Sequence, residues 1–308
     1  MRSTSAFKTL AECAPKQEIS VHVRELDELD YRQALALLAE HPLQGVHLES
    51  LITDHGLTSP ALRGRFFGYF ANDQLTGIAL IGHQIMFCAP DEAIPHFART
   101  TATAGLRCTV IFGPRQQVEL FWQEFAALGH ELKMQRDFYW YVCETPAQPI
   151  RQFQLVQATA EHLEVVLEAQ ASTFVEATGT DPRQTDPEGF RRRVLERIER
   201  GRTWIKLENE TVVFKAELQS VTPEAIYVEG IWTHADYRGR GIAKEAVVEL
   251  THRRLRQQQV LCLAVEPNEA VAMRVYEHAG FRYQTDYQAR YPQPLTEKSE
   301  TPAPASSR

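Results

Sequence analysis

The chain has 308 residues, of which 44% are hydrophobic and 24% are charged, a composition typical of a globular protein with two domains. Its net charge of −7 at pH 7 argues against nucleic acid or an anionic membrane surface as the main partner. The cysteines lie far apart, at Cys13, Cys88, Cys108, Cys143 and Cys262, which predicts neither a disulfide framework nor a zinc site. Residues 1–17 lack the apolar core of a signal peptide, so we expect a cytoplasmic protein.

The first half of the chain alternates between strand-like and helix-like patterns after a flexible N-terminus, residues 1–17. The helical pattern of residues 29–51 is interrupted by Pro42 and Gly45, and Asn72 and Asp73 occupy a predicted hairpin turn. The predicted elements are, in order, a strand over 19–23, helices over 29–51, strands over 66–70 and 75–81, a helix over 91–103, a strand over 108–112 and a helix over 114–128.

A polar segment with two prolines, residues 146–152, predicts a linker before the second half. Residues 172–188 are polar and predict a long loop, in which Glu176, Asp181, Asp186 and Glu188 would attract a cation. The tail, residues 292–308, is rich in Pro, Ser and Thr and is predicted to be disordered. The other predicted elements are strands over 153–156, 203–207 and 212–218 and helices through Leu163 and over 189–198.

A segment rich in glycine and arginine follows an apolar strand, residues 224–233. Its six residues lead into a helix: Arg238, Gly239, Arg240, Gly241, Ile242 and Ala243. The first turn of a helix has free N–H groups and the positive end of the helix dipole, so it attracts phosphate oxygens. Glycines let the backbone approach a pyrophosphate closely, and arginines can add hydrogen bonds. The pattern predicts an anion site, with a solvated turn as the alternative.

A second motif follows the next apolar strand, residues 260–265. The helix after it carries Asn268, Ala272 and Tyr276 at four-residue intervals and ends at Gly280 and Phe281. This spacing places the first three side chains on one helix face, and the glycine is a typical helix stop.

The two motifs together resemble those of the GNAT superfamily of acyl-CoA-dependent N-acyltransferases, with a departure at Ala235, where the family usually has proline. The resemblance implies that residues 153–291 are a catalytic GNAT N-acetyltransferase domain. The element order of residues 18–145 is similar to a degenerate GNAT-like domain, as in tandem-GNAT proteins. The implied fold class is α/β (α+β), with two GNAT-like domains, each a mixed, mainly antiparallel twisted sheet flanked by helices.

The resemblance also implies that acetyl-CoA, or another acyl-CoA, is the co-substrate and that no metal is needed. The pyrophosphate would bind residues 238–243, with Asn268 nearby, and the pantetheine arm would pair with the main chain of Ile231, Trp232 and Thr233. In the first half, Pro90, Asp91 and Glu92 occupy the corresponding loop, where acids would repel a pyrophosphate. We therefore expect one cofactor per chain.

Two residues are candidates for proton transfer. Glu229 is a carboxylate inside an apolar strand, which makes it a candidate general base; an ion pair with an arginine or a wet sheet edge is the alternative. The resemblance implies that Tyr276 is the general acid, although it could be only a half-buried aromatic residue, and Asn268 could be only an N-cap. Gly230, within the same strand as Glu229, predicts a β-bulge.

The sequence therefore predicts an N-acetyltransferase that transfers an acetyl or other acyl group from acyl-CoA to a primary amine by direct attack in a ternary complex. A small-molecule or peptide amine is the expected partner, and a homodimer is compatible with the sequence. A non-catalytic acyl-CoA sensor and a protein-interaction scaffold are the alternatives.

Overall fold

A computed structural model describes residues 20–148, 153–255 and 259–294. The predictions for residues 1–17, for most of the linker and for nearly all of the tail lie outside these ranges. The first half contains, in chain order, β1 Val21–Glu25, α1 Tyr31–Ala39, α2 Pro42–His55, β2 Gly64–Ala71, β3 Gln74–Gly82, β4 Gln84–Cys88, α3 Ile94–Thr103, β5 Val110–Pro114, α4 Arg115–Ala127 and β6 Leu132–Cys143.

The second half repeats a mixture of short strands and helices. Its elements are β7 Val156–Gln157, α5 Leu163–Thr178, α6 Pro182–Thr185, α7 Pro187–Glu199, β8 Thr203–Glu208, β9 Thr211–Val221, β10 Ala225–Thr233, α8 Ile242–Leu255, β11 Val260–Val265, α9 Ala270–His278 and β12 Arg282–Pro292.

The predicted hairpin turn is present between β2 and β3. Asn72 and Asp73 have φ values of 49° and 62°, the left-handed conformation that two-residue hairpin turns require. Asn and Asp tolerate this conformation better than other residues with side chains, because their short polar groups can hydrogen-bond to the local backbone. The register of the hairpin therefore follows from the local sequence.

The prediction of a long loop over residues 172–188 is wrong, because most of these residues are helical. Helix α5 continues to Thr178 and ends at Gly179, which has a φ of 71°. Asp181 and Asp186 accept hydrogen bonds at the N-termini of α6 and α7. Acidic and small residues are common in loops and at helix caps alike, and here they are caps.

All twelve described strands belong to one sheet, in the order β1-β2-β3-β4-β5-β12-β6-β11-β10-β9-β8-β7. Only the β4–β5 and β10–β11 pairs of these strands are parallel, so the mixed, mainly antiparallel fold class is confirmed. The last strand of each half is exchanged: β6 lies between β12 and β11, and β12 lies between β5 and β6. The two halves therefore share a continuous backbone hydrogen-bond network.

Aromatic side chains from both halves pack at this junction. Trp140 of β6 is 1% exposed and stacks on Tyr227 of β10 and Tyr287 of β12, with ring centroids 5.4 and 4.2 Å apart. Val46 of α2 belongs to the same buried cluster. Helix α2, from the first half, thus lies over β9 and β10 of the second half.

We expect Trp140→Ala to lower the free energy of unfolding by about 3–5 kcal/mol, because it leaves a cavity where strands of both halves meet. Urea unfolding followed by far-ultraviolet circular dichroism should still show one transition, shifted as a whole. Leu29→Ala is the control, since Leu29 is 93% exposed and its removal should have little effect. Two separate transitions, with only one of them shifted, would contradict the shared core.

Candidate active site

A cavity of about 1260 Å³ opens where β10 ends, between the N-terminus of α8 and one face of α9. Most of the predicted cofactor residues line it, and so does the predicted general acid, so we call it the cofactor cavity. Glu229, Arg240 and Asn268 are not among its lining residues. The predicted residues that do line it are Ile231, Trp232, Thr233, Arg238, Gly239, Gly241, Ile242, Ala243 and Tyr276.

The loop before α8 has the geometry of an anion-binding helix start. Gly239 and Gly241 have φ values of 73° and 78°, which favour glycine, and no heavy atom lies within 4 Å of where a Cβ would stand. The first hydrogen bond of the helix runs from the Glu245 N–H to the Gly241 carbonyl, at 3.2 Å. The N–H groups of residues 242–244 precede this bond, so the helix itself supplies them with no acceptor.

The two arginines of this loop stabilise its shape. Arg238 donates hydrogen bonds to the Thr233 carbonyl at 3.0 Å and to the Glu176 carboxylate at 2.7 Å. Arg240 donates to the Asp236 carbonyl at 2.7 Å and lies over the Tyr237 ring. Arg238 lines the cavity from this position, whereas Arg240 faces its own turn.

The strand β10 separates from its neighbour β11 beside this cavity. The parallel pairing between them extends from Ala225 to Tyr227 and goes no further within the described residues. The β11-facing main chain of residues 231–233 is therefore available to pair with an extended ligand, as in strand-addition recognition.

A β-bulge interrupts β10 at the same level, as predicted from Gly230. Glu229 pairs with Glu217 of β9, and Trp232 pairs with Lys215, so β10 has one extra residue. Gly230 has a φ of 57°, the left-handed conformation that glycine adopts without strain. Because of the extra residue, Glu229 and Trp232 lie on the same face of the sheet.

A buried network of polar side chains on the neighbouring part of the sheet forms hydrogen bonds to the bulge. The Lys215 ammonium, whose side chain is 0% exposed, donates to the Gly230 carbonyl at 3.1 Å and to Glu217 at 3.4 Å. Glu217 also accepts a hydrogen bond from the Thr203 hydroxyl at 2.8 Å. Burial lowers the pKa of Lys215, and the negative charge of Glu217 opposes this shift. The network ties the bulge to β9 and, through Glu217, to β8.

Glu229 extends from the bulge into a second cavity, of about 460 Å³. Its side chain is 39% exposed, but protein atoms surround it and replace most of the bulk water. This desolvation raises the pKa of Glu229; Arg197, whose Nη2 lies 3.9 Å from the carboxylate, and Lys215 oppose the shift, while Glu217 adds to it. The alternative of an ion pair with an arginine is thus present in a loose form, since Arg197 lies at ion-pair distance but makes no hydrogen bond to Glu229.

Both halves of the chain line the second cavity. The first half contributes α2, β4 and β5, and the second half contributes α7, β9 and β10. Asp54 of α2 joins them, because its carboxylate accepts hydrogen bonds from Arg202 and contacts Arg200 at 2.9 Å. The lining residues used below are His47, Met86, Phe112, Arg197, Tyr227 and Glu229.

The second motif brings some of its residues to the cofactor cavity. Tyr276 and Ala272 line it, and burial raises the pKa of Tyr276 to about 12. A tyrosine with this pKa keeps its proton at neutral pH, so its hydroxyl can act as a proton donor or as a hydrogen-bond donor. Asn268 is exposed and precedes α9, whose N-cap is Glu269, so the structure does not bring Asn268 to the cavity.

The acids expected to attract a cationic acceptor are mostly paired elsewhere. Glu176 accepts hydrogen bonds from Arg238 and from the Trp232 indole, Asp181 contacts Arg183, and Asp186 contacts Arg193. They lie outside the cavity that contains Glu229. These carboxylates therefore do not support the prediction that they attract a cationic acceptor.

Sequence reasoning did not single out Lys215, Glu217 or Arg197. Lys215 and Glu217 interrupt an apolar strand in the same way as Glu229, so the same signal could have found them. Arg197 is one of several arginines on α7, and the contribution of α2 depends on how the halves pair. Hydrophobic periodicity shows neither which of these arginines faces the site nor where α2 lies in the fold.

No cluster of His, Cys, Asp or Glu within residues 20–148, 153–255 and 259–294 is arranged to hold a metal ion. In the same ranges, no helix combines the length and the apolar character needed to cross a bilayer.

Comparison with protein families gives two adjacent matches. Residues 164–281 match the acetyltransferase (GNAT) family, and residues 64–163 match a domain of unknown function (DUF4081). A search among curated proteins found no match. The family match covers the strand β10, the loop before α8 and the helix α9, which together form the cofactor cavity.

Solved structures resemble nearly the whole chain. An acetyltransferase of the GNAT family from Colwellia psychrerythraea has a TM-score of 0.57 at 15% identity, over 88% of this chain and 99% of that one. A GCN5-related N-acetyltransferase from Sphaerobacter thermophilus has a TM-score of 0.55 at 14% identity, over 89% and 95%. A tandem GNAT protein from the clavulanic acid biosynthesis pathway has a TM-score of 0.54 at 13% identity, over 89% and 98%.

The family match indicates an acyltransferase domain: residues 164–281 match the GNAT acetyltransferase family, and a DUF4081 domain precedes them. The solved structures show that nearly the whole chain shares its fold with GNAT proteins, a tandem GNAT protein among them.

We expect Lys215→Met to lower the free energy of unfolding by about 3–5 kcal/mol, because it leaves the Glu217 carboxylate buried without its cationic partner. The double variant Lys215→Met, Glu217→Leu should recover part of this loss, although the Thr203 hydroxyl then lacks its acceptor. Urea unfolding of the three proteins tests this expectation. A double variant less stable than the single variant would show that the pair does not act as a unit.

Proposed function

We propose that the protein is an N-acyltransferase that transfers an acetyl group from acetyl-CoA to a primary amine in a ternary complex. One observation carries the proposal: the residues of β10 on the two sides of Gly230 line the two cavities, residues 231–233 the cofactor cavity and Glu229 the second cavity. An acyl group on one side of Gly230 and an amine on the other would be within reach of each other. The cysteines among the described residues, Cys88, Cys108, Cys143 and Cys262, are free, which supports the proposal that the protein acts in the reducing cytoplasm.

The cofactor would bind in an extended conformation along the cavity. Its pyrophosphate would accept hydrogen bonds from the free N–H groups at the start of α8, where the helix dipole adds a favourable charge interaction. Its pantetheine arm would pair with the main chain of residues 231–233, on the edge that β11 leaves open. Ala272 is small, which leaves room for the thioester next to Tyr276.

The transfer requires two proton movements. An alkyl ammonium has an ordinary pKa of about 10, so it must lose a proton before its nitrogen can attack the thioester carbon. Glu229 accepts this proton directly or through a water, and its raised pKa brings it nearer the working pH. The new C–N bond forms, the C–S bond breaks, and the Tyr276 hydroxyl donates a proton to the departing thiolate.

The first half would line the cavity that contains Glu229 rather than bind a second cofactor. Its corresponding loop carries Asp91, whose carboxylate accepts hydrogen bonds from Gln116 and Gln117 at 2.7 and 2.9 Å. Gln117 also donates to the Ala89 carbonyl. These side chains occupy the place where phosphate oxygens would need bare N–H groups, which supports one cofactor per chain.

Gly241→Asp should abolish acetyl-CoA binding, since it puts a side chain and a negative charge where the pyrophosphate is proposed to lie. The measurement is the rise in melting temperature on adding acetyl-CoA, which reports binding to the folded protein. Gly129→Asp is the matched control, because Gly129 also has a positive φ and open space but lies in the first half. An equal rise in both variants would remove the phosphate-loop assignment.

Glu229→Gln should lower kcat/KM by about 10²–10⁴-fold, because the amide cannot accept the ammonium proton. In the wild type, kcat/KM should fall as pH drops through the raised pKa of Glu229, where the carboxyl becomes protonated; the variant should lack this limb and keep only that of the amine. Thiol release followed against pH measures both effects. Tyr276→Phe should instead lower kcat at every pH, and losses below about threefold would reassign either residue to structure.

A further inference from the structure

The cavity that contains Glu229 also receives four arginine side chains, three of which have acidic partners. Arg200 and Arg202 contact the Asp54 carboxylate at 2.9 and 2.6 Å, and Arg193 contacts Asp186 at 2.9 Å. The fourth is Arg197. Its guanidinium donates no hydrogen bond to any residue in the described ranges, and its nearest carboxylate, Glu229, is 3.9 Å away.

A guanidinium that has an ion pair but no hydrogen-bonded partner can still bind a ligand through its N–H groups. Arginine keeps its charge at all physiological pH values and presents five donors in a planar fork that matches a carboxylate in a bidentate arrangement. The Arg197 side chain is 33% exposed and faces the cavity, so these donors are open to a ligand. The ligand group that satisfies them best is an anionic oxygen pair.

We propose that the acceptor is a small amino carboxylate, whose carboxylate binds Arg197 while its amine lies against Glu229. This inference rests on the proposed function and names its substrate class. The separation of 3.9 Å between Arg197 Nη2 and Glu229 Oε1 suits a zwitterion whose two charged groups are one or two carbons apart. A cavity of about 460 Å³ suits a molecule of this size.

The other charges of the cavity favour a zwitterion over a polycation. Asp54 and Glu196 compensate Arg200 and Arg202, and Asp186 compensates Arg193, so Arg197 and Glu229 remain as one positive and one negative group facing each other. A second ammonium group on the acceptor would face Arg197 and would be repelled. Electrostatic complementarity of this kind selects among ligands of similar size.

Part of the remaining lining of the cavity is apolar. Phe112, Tyr227 and Met86 contribute to it, and His47 packs edge-on against Tyr227. Burial lowers the pKa of His47 to about 4, so its ring is neutral at pH 7. These side chains suit the apolar part of an amino carboxylate and add no charge to the site.

The test is a thiol-release assay of the full chain with acetyl-CoA, using the common L-amino acids and β-alanine beside their carboxamides and the corresponding decarboxylated amines. We expect the carboxylates to have the highest kcat/KM, by about 10- to 100-fold, the range that a charge-assisted hydrogen-bond pair supplies. Arg197→Met should raise KM for the carboxylates by a similar factor but should not raise it for the amides, whose turnover changes only through the pKa of Glu229. Arg191→Met is the control, since Arg191 lies on the same helix but pairs with Glu164 outside the cavity.

The outcomes separate this inference from the proposed function. Amides and simple amines that react as well as the carboxylates, or equal KM values in the two arginine variants, would overturn the amino-carboxylate assignment while acyl transfer stands. Absence of thiol release from every acceptor, together with an unchanged melting temperature on adding acetyl-CoA, would overturn the proposed function and this inference with it.

Discussion

The bulge at Gly230 is the constraint on which the site depends. One extra residue in β10 turns Glu229 and Trp232 toward the same face of the sheet, and the buried Lys215 ammonium holds the Gly230 carbonyl in place. At the same level the pairing of β10 with β11 has already ended, so the other edge of β10 is open. A single strand therefore offers its backbone to one cavity and a carboxylate to the other. Glycine adopts this backbone conformation without strain, and a Cβ at this position would stand only 3.2 Å from Lys215 Nζ and Glu217 Cγ, which explains why glycine stands between the two cavities.

The exchange of β6 and β12 holds the first half of the chain beside the bulge, where it lines the cavity that contains Glu229. Because these strands are interleaved, the first half cannot move away from the second without breaking sheet hydrogen bonds and the stacking of Trp140. Helix α2 is consequently fixed over β9 and β10, where Asp54 binds Arg202. The first half, which has a hydrophobic core of its own, thus helps to determine the size and charge of the cavity that contains Glu229.

The sequence predicted the parts of the site that depend on local backbone chemistry. The glycine-rich helix start, the bulge at Gly230 and the hairpin at Asn72 follow from which residues adopt a left-handed conformation. The predicted loop over residues 172–188 failed because Asp181 and Asp186 are equally suited to loops and to helix caps. Strand exchange was not predictable, since β6 and β12 carry the same alternation whichever neighbour they pair with. For that reason Arg197 and α2 could not be placed beside Glu229 before the fold was known.

The central proposal is that an acyl thioester and its acceptor meet at the bulge of β10. A crystal structure of the protein with a non-hydrolysable acetyl-CoA analogue tests it most directly. We expect the pyrophosphate at the N–H groups of residues 242–244, the pantetheine arm along residues 231–233, and the acyl group between the Tyr276 hydroxyl and Glu229. A nucleotide bound in another cavity, or an acyl group directed away from Glu229, would contradict the account.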